Sequence, residues 1–353
     1  MLQIYLPIAD VTINLATLLI ISVVVGFFAG LLGIGGGFLI TPILIFLGIP
    51  PIYAVANGAN NILAASVSGT LAHWFKNQLD IKMGLLILSG GIFGSIVGII
   101  IFKFFLIQGS VNNIISIMYC VLLTSIGILM LFESLIEIRR IKLNRFIRRK
   151  LHRHYWVHHL PFKMRIRKSK LYISIIPPVF FGIVVGILSS MLGVGGGFLL
   201  VPIMIYILGM PARLVPGTSL FVMIFIMIIV TLLHALNNNT IDIYLVLILV
   251  VGSVIGAQIG TKIGSKLKSE ELRAMLSILV VIFGFKFGYD LFFHKIIPSA
   301  NITKQLPVSH DLNMVTEFII NVSQNFPSLY ALSSIFLAII VGIIAAYGFR
   351  KFI

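Results

Sequence analysis

Four glycines fall within five positions at Gly33-Ile-Gly-Gly-Gly37, in the middle of an apolar run, and Pro42 follows shortly after. The pattern returns as Gly193-Val-Gly-Gly-Gly197 with Pro202, 160 residues further on and with no gap inside the motif. Glycine is a poor helix former, so each cluster should interrupt a helix. Inside a bilayer, interrupted backbone is tolerated only where protein buries it or where it lines a polar cavity. Two breaks at matching places in two halves point to the binding site of a transporter. Close packing of small residues is the competing reading. The glycines cluster instead of recurring every fourth residue, which favours the cavity.

A bilayer is the right solvent to consider. Of 353 residues, 59% are hydrophobic and 10% charged, and the mean hydropathy is +1.12. Soluble domains carry about a quarter charged residues. The chain therefore reads as an all-α polytopic membrane protein with roughly 8–11 membrane segments, each full crossing needing about 20 apolar residues. No large extramembrane catalytic domain fits. The net charge of +16 reports topology and anionic lipid here, and nucleic acid is not expected as a partner. The single cysteine, Cys120, excludes an internal disulfide. No Lys or Arg precedes the first apolar run, which argues against a cleaved secretory signal.

Residues 1–136 form the first repeat. An apolar segment from Val11 to Leu32 leads into the glycine break, and Phe38 to Leu47 follows as a half-helix too short to cross alone. Ala54 to Trp74 carries Asn57-Gly-Ala-Asn-Asn61. Met83 to Phe105 carries a glycine stripe at Gly90, Gly94 and Gly98. Asn113 to Phe132 closes the repeat. Residues 172–294 repeat the plan. Tyr172 to Leu192 leads into the second break and Phe198 to Leu208 is the half-helix. Leu214 to Leu236 carries Pro216-Gly-Thr-Ser219, and Ile243 to Gly264 carries Gly252, Gly256 and Gly260. Asp80 and Asp242 each stand ten residues before their stripe. Residues 295–327 read as a polar loop and 328–353 as an extra C-terminal transmembrane helix. An odd number of segments per half makes the two repeats inverted.

Residues 137–171 form a basic linker. Glu137 to Lys170 holds thirteen of the 26 Lys and Arg residues, which places it in the cytoplasm, with the N-terminus outside. Arg145, Arg148, Arg149 and Arg153, with Phe146, Tyr155 and Trp156, suit an interfacial helix on anionic lipid. His154 and His158 have i,i+4 spacing beside His152 and His159, yet no carboxylate or cysteine lies near, so no metal site is expected.

The glycine motif with its proline, in both copies, resembles the TauE/SafE family of sulfite-exporter-like membrane transporters. Pro216-Gly-Thr-Ser-Leu220 is similar to the family's Gly-Thr-Ser step after the short helix. The first half departs there, with Gly58-Ala-Asn60. The resemblance covers roughly residues 11 to 293. It implies movement of a small sulfur-containing anion such as sulfite, a sulfonate or a related organic acid, and the departure bears on which one.

The residues supply a chemistry for this. Half-helices starting at Phe38 and Phe198 point free N–H groups back at the glycines, and helix N-termini attract anions. Gly33, Gly35, Gly36 and Gly37, with Gly193, Gly195, Gly196 and Gly197, are thus the candidate substrate-binding backbone. Asn57, Asn60, Asn61, Thr218 and Ser219 are added donors, or else ordinary interhelical hydrogen-bonding residues. Lys286 and Asp290, at i,i+4, form a coupling or gating pair if buried, and Lys286 an anchor if it snorkels. His73 and His234 each end a third segment, where a histidine senses protons or sits at the interface. No catalytic constellation is present, so an enzyme is not expected, nor is a cofactor. The reading is a secondary transporter of a small anion in the cell membrane. The alternative is a membrane assembly or accessory protein that binds a partner through the basic linker. Oligomeric state is left open.

Overall fold

The computed structural model describes residues 3–9, 11–32, 37–142, 161–211, 213–264, 269–293 and 314–348. Gly33, Gly35 and Gly36 lie outside the described residues, as do 143–160 with the four linker histidines. The described chain is overwhelmingly helical. Five of its helices are long and apolar enough to cross a membrane, and the protein is a multi-pass, all-α membrane protein.

Each half opens on a small antiparallel hairpin that apolar periodicity alone does not reveal. β1 (Gln3–Leu6) pairs with β2 (Val11–Asn14), and β3 (Lys163–Ile166) with β4 (Leu171–Ser174). The segments expected to start at Val11 and Tyr172 therefore start as strands. The second hairpin also crosses the expected linker boundary at residue 171. α1 (Leu15–Leu32) then runs to the first glycine break and α2 (Gly37–Phe46) leaves it. α3 (Pro51–Phe75) starts at a proline, which suits the first helical position because its missing N–H has no helical partner anyway. α4 (Ile81–Ile107) is N-capped by Asp80, and α5 (Val111–Lys142) runs six residues past the expected repeat end at 136.

In the second half, α6 (Ile176–Leu192) ends at Gly193 and α7 (Gly197–Pro202) widens into a π turn over Ile203–Ile207. α8 (Val215–Asn238), α9 (Ile243–Gly264) and α10 (Ser269–Phe293) follow. Part of the expected 295–327 loop is helical instead, as α11 (Met314–Asn325). It is a short amphipathic helix whose Ile319 and Val322 lie against the core. Its polar face hid it from a hydropathy reading. α12 (Pro327–Gly348) is the extra apolar helix, and it packs on α3 where Gly342 meets Ala64.

The helices interlock across the two halves. α4 of the first half lies along α6 of the second, and α9 of the second along α1 of the first. The glycine stripes make this possible. A Cβ on Gly94 would stand 2.1 Å from the Ile183 carbonyl oxygen, and one on Gly256 2.0 Å from that of Val23. Both pairs run parallel: Gly90 lies against Val179 and Gly98 against Ile187, while Gly252 faces Ser22 and Gly256 faces Phe27. α3 and α8 pack together antiparallel, since Gly217 at the start of α8 faces His73 at the end of α3. α5 and α10 form the remaining cross-half pair, with Tyr119 stacked on Phe287.

Candidate functional site

The second glycine break is a tightly organised gap. Gly193 adopts the left-handed conformation at φ +63° and donates its N–H to the Ser189 carbonyl at 2.8 Å, a conventional glycine helix stop. Gly195 at φ +76° and Gly196 at φ +57° carry the chain across to α7. Only glycine takes such a run of positive φ without strain. The break lies on α3 of the other half. A Cβ on Gly193 would meet the Val55 carbonyl oxygen at 2.3 Å, and one on Gly195 the Ile62 side chain at 2.9 Å.

A helix end leaves its last carbonyls unpaired. Here, side chains from three other helices take them up. Tyr119 of α5 donates its hydroxyl to the Leu192 carbonyl. Thr41 of α2 donates to the Gly193 carbonyl at 3.4 Å, and His234 of α8 reaches the Ser190 carbonyl through Nε2 at 2.8 Å. A carbonyl only accepts, so Nε2 carries the proton and Nδ1 is the acceptor for the Asn238 amide at 3.3 Å. His234 is thus a fully buried neutral cap, edge-on to Phe102. His73, its counterpart on α3, bonds Gln78 at 3.0 Å.

The remaining named residues do not converge on this gap. By helical periodicity, Val55, Gly58 and Ile62 share the face of α3 toward the break, while Asn57, Asn60 and Asn61 share the opposite face. Asn57 donates to the Thr240 carbonyl at 3.2 Å and accepts from the Asp242 N–H at 2.8 Å. Asn61 accepts from Ser253 of α9 at 2.5 Å. Thr218 accepts from the Asp80 N–H at 3.0 Å and donates to the Leu214 carbonyl, and Ser219 bonds the Pro216 carbonyl. Sixteen residues of α3 separate Asn57 from His73, beside which α8 starts, so Asn57 and Thr218 stand about 24 Å apart at 1.5 Å per residue. Asn60 differs from the others. It is fully buried, and neither its Nδ2 nor its Oδ1 has a hydrogen-bond partner among the described residues.

The coupling reading of Lys286 and Asp290 requires a buried pair. Lys286 is exposed and its ammonium sits over the Phe46 ring, 4.2 Å from the centroid. No ion pair joins it to Asp290 among the described residues. The aromatic face of α2 offered the cation a partner that sequence spacing could not foresee.

With this architecture in view, comparison with known proteins decides the family. The family model described as "Sulfite exporter TauE/SafE" matches residues 18–287. The chain belongs to the TauE/SafE family. It is 27% identical over 205 residues to a probable membrane transporter protein of Bacillus subtilis (strain 168), YjnA, covering 58% of this chain and 72% of that one. A second from the same strain, YunE, is 27% identical over 217 residues, covering 58% of this chain and 73% of the relative. A probable membrane transporter protein of Xylella fastidiosa (strain 9a5c) is 27% identical over 201 residues, covering 56% of this chain and 66% of its own. No solved structure matches. As a TauE/SafE protein with five membrane-length helices, the chain is a multi-pass cell-membrane transporter with a small-molecule substrate.

The site residues that spacing missed are Thr41, Tyr119 and Ser190. A lone threonine before Pro42 and a tyrosine inside an apolar run carry no periodic signal. Their role depends on which helix end they reach.

Proposed function

We propose that this TauE/SafE protein is a secondary transporter of a small anion, a sulfur-containing oxyanion or organosulfonate, built from two inverted halves. Family membership carries the transport reading. The break between α6 and α7 supports the anion. Its glycine backbone can present N–H groups without a side chain in the way, and its carbonyls are turned aside into hydrogen bonds with Tyr119, Thr41 and His234. Carbonyls so occupied no longer repel an anion. Backbone N–H groups at the start of α7 suit an anion held by hydrogen bonds. Asn60, a buried amide without a hydrogen-bond partner among the described residues, stands on the other face of α3 and is a separate candidate donor. In the sequence, Gly33 to Gly37 is the matching motif of the first half. The inverted arrangement draws support from the packing: equivalent helices contact each other crosswise, and α3 and α8 run antiparallel.

Nothing in the sequence hydrolyses ATP, so an ion gradient or the substrate's own gradient drives movement. The exposed cations of the β3–β4 hairpin, Lys163, Arg165, Arg167, Lys168 and Lys170, support contact with anionic lipid headgroups at that face. The decisive experiment is flux into proteoliposomes of sulfite, thiosulfate, a sulfonate and a carboxylate in parallel. Uptake of a sulfur anion that Gly196→Val abolishes is the expected result. Carboxylate uptake alone would overturn the substrate class.

A further inference from the structure

Two aspartates that the transport reading leaves unused are built into matching contacts. Asp80 is 2% exposed and Asp242 is 0% exposed, and neither has a cationic partner among the described residues. Each divides its oxygens in the same way. Oδ1 of Asp80 accepts from the Met83 N–H at 3.3 Å, and Oδ1 of Asp242 from Tyr244 at 3.1 Å and Leu245 at 3.4 Å, so each caps its own helix. Oδ2 reaches across to the hairpin of the other half. Oδ2 of Asp80 accepts from the Ser169 N–H at 3.0 Å and from its hydroxyl, in the β3–β4 turn. Oδ2 of Asp242 accepts from the Ile8 N–H at 3.1 Å, in the β1–β2 turn. The backbone N–H of each aspartate is held by the other half as well, Asp80 by Thr218 and Asp242 by Asn57.

The two clasps sit at opposite ends of the molecule. Asn57 lies near the start of α3, and Asp80 just past its end. α3 is 25 residues long, about 37 Å, against a bilayer core of about 30 Å. Each aspartate holds its hairpin by hydrogen bonds without an ion pair, beside the apolar packing of Leu6 and Ala9 in one hairpin and Ile166 and Ile173 in the other. We infer that these clasps are the two gates of the transporter, the Asp80–Ser169 contact closing one side of the membrane and the Asp242–Ile8 contact the other. Both are closed in this structure, as an occluded state requires, and opening to either side releases only that side's clasp. The inference rests on the transport reading for its purpose, but its geometry stands apart from any substrate. Asp80, Asp242 and Ser169 act as positioning residues that couple the halves, without touching the ligand.

The test is hydrogen–deuterium exchange by mass spectrometry on the full chain in lipid nanodiscs, with Cys120→Ser throughout. Ile8 and Ser169 are themselves the donors, so exchange in peptides 3–14 and 163–174 reads the two clasps directly. Asp80→Cys with Ser169→Cys, oxidised, locks one clasp. Exchange in 3–14 should then rise by roughly threefold or more and return on reduction. Asp242→Asn, which weakens the other clasp, should slow exchange in 163–174. Opposed changes are the signature, since general destabilisation would speed both peptides. Independent changes, or changes in the same direction, overturn the inference. Sulfite and thiosulfate flux is measured on the same variants. Undiminished flux through the locked protein also overturns the gates while leaving the transport reading intact. Opposed exchange without flux of any tested anion upholds the gates and counts against the substrate class.

Discussion

At the scale of single residues, conformation and charge lead to separate tests. Gly196 combines φ +57° with a steric block, since a Cβ there would stand 2.3 Å from Cγ1 of Val185. Gly196→Val adds a branched side chain to a backbone that disfavours one, at a cost of about 1–3 kcal/mol. Substrate binding should fall steeply in purified Gly196→Val, while Gly94→Ala or Gly256→Ala should chiefly lower Tm by separating packed helices. Normal binding with an early melt in Gly196→Val would show that the motif serves packing. Asp242 offers a pH test. Burial pushes its carboxyl above the ordinary carboxylate range, and the backbone donors of Ile8, Leu245 and Tyr244 counter only part of that. A raised value means the folded state binds the proton more tightly than the unfolded chain. Its stabilising contribution is therefore full below the ordinary carboxylate value and lost as pH rises through the raised one. The wild type should melt higher as pH is lowered from neutrality into that window. Asp242→Asn should flatten this part of the pH–Tm curve, and an unchanged curve would rule the assignment out.

At the scale of elements, the end of α6 carries the most weight. Tyr119→Phe removes the hydroxyl that serves the Leu192 carbonyl and leaves that buried acceptor unpaired, a cost of about 1–3 kcal/mol. Melting in nanodiscs should show the loss, and Cys120→Ser on the same helix serves as the control that moves little. Lys286→Ala gives up a cation–π contact on an exposed face, about 0.5–1 kcal/mol, so both flux and stability should stay near wild type. Loss of flux would return Lys286 to the coupling machinery. Long helices were legible from their apolar runs, and their breaks from the glycines. The hairpins were not, because Val11-Thr-Ile-Asn14 and Leu171-Tyr-Ile-Ser174 are too short to show their alternation beside an apolar helix. Asn57 and Thr218 were legible as polar residues buried in apolar sequence. That each reaches an aspartate of the other half follows only from tertiary packing.

At the scale of the whole molecule, the two hairpins hold equivalent places in their halves but differ in charge. β3 to β4 carries Lys163, Arg165, Arg167, Lys168 and Lys170, while residues 3–14 contain no Lys or Arg. Charge of this kind is retained on the cytoplasmic side of a membrane. The equivalent elements should therefore face opposite compartments, which is what inverted halves require and what parallel halves forbid. The packing agrees: Asp80 with Ser169 lies beyond one end of α3, and Asp242 with Ile8 near its other end. Two single-cysteine variants in a Cys120→Ser background test this, at the exposed outward positions Thr12 and Arg165. An impermeant maleimide applied to intact cells should label Thr12→Cys and spare Arg165→Cys until the membrane is opened. Labelling of both from outside would place the hairpins on one side and remove the inverted arrangement. Protection of Thr12→Cys with labelling of Arg165→Cys would keep the inversion and reverse its sense, against the charge rule. The first outcome is expected because α3, at about 37 Å, is long enough to hold the two hairpins on opposite faces of a bilayer.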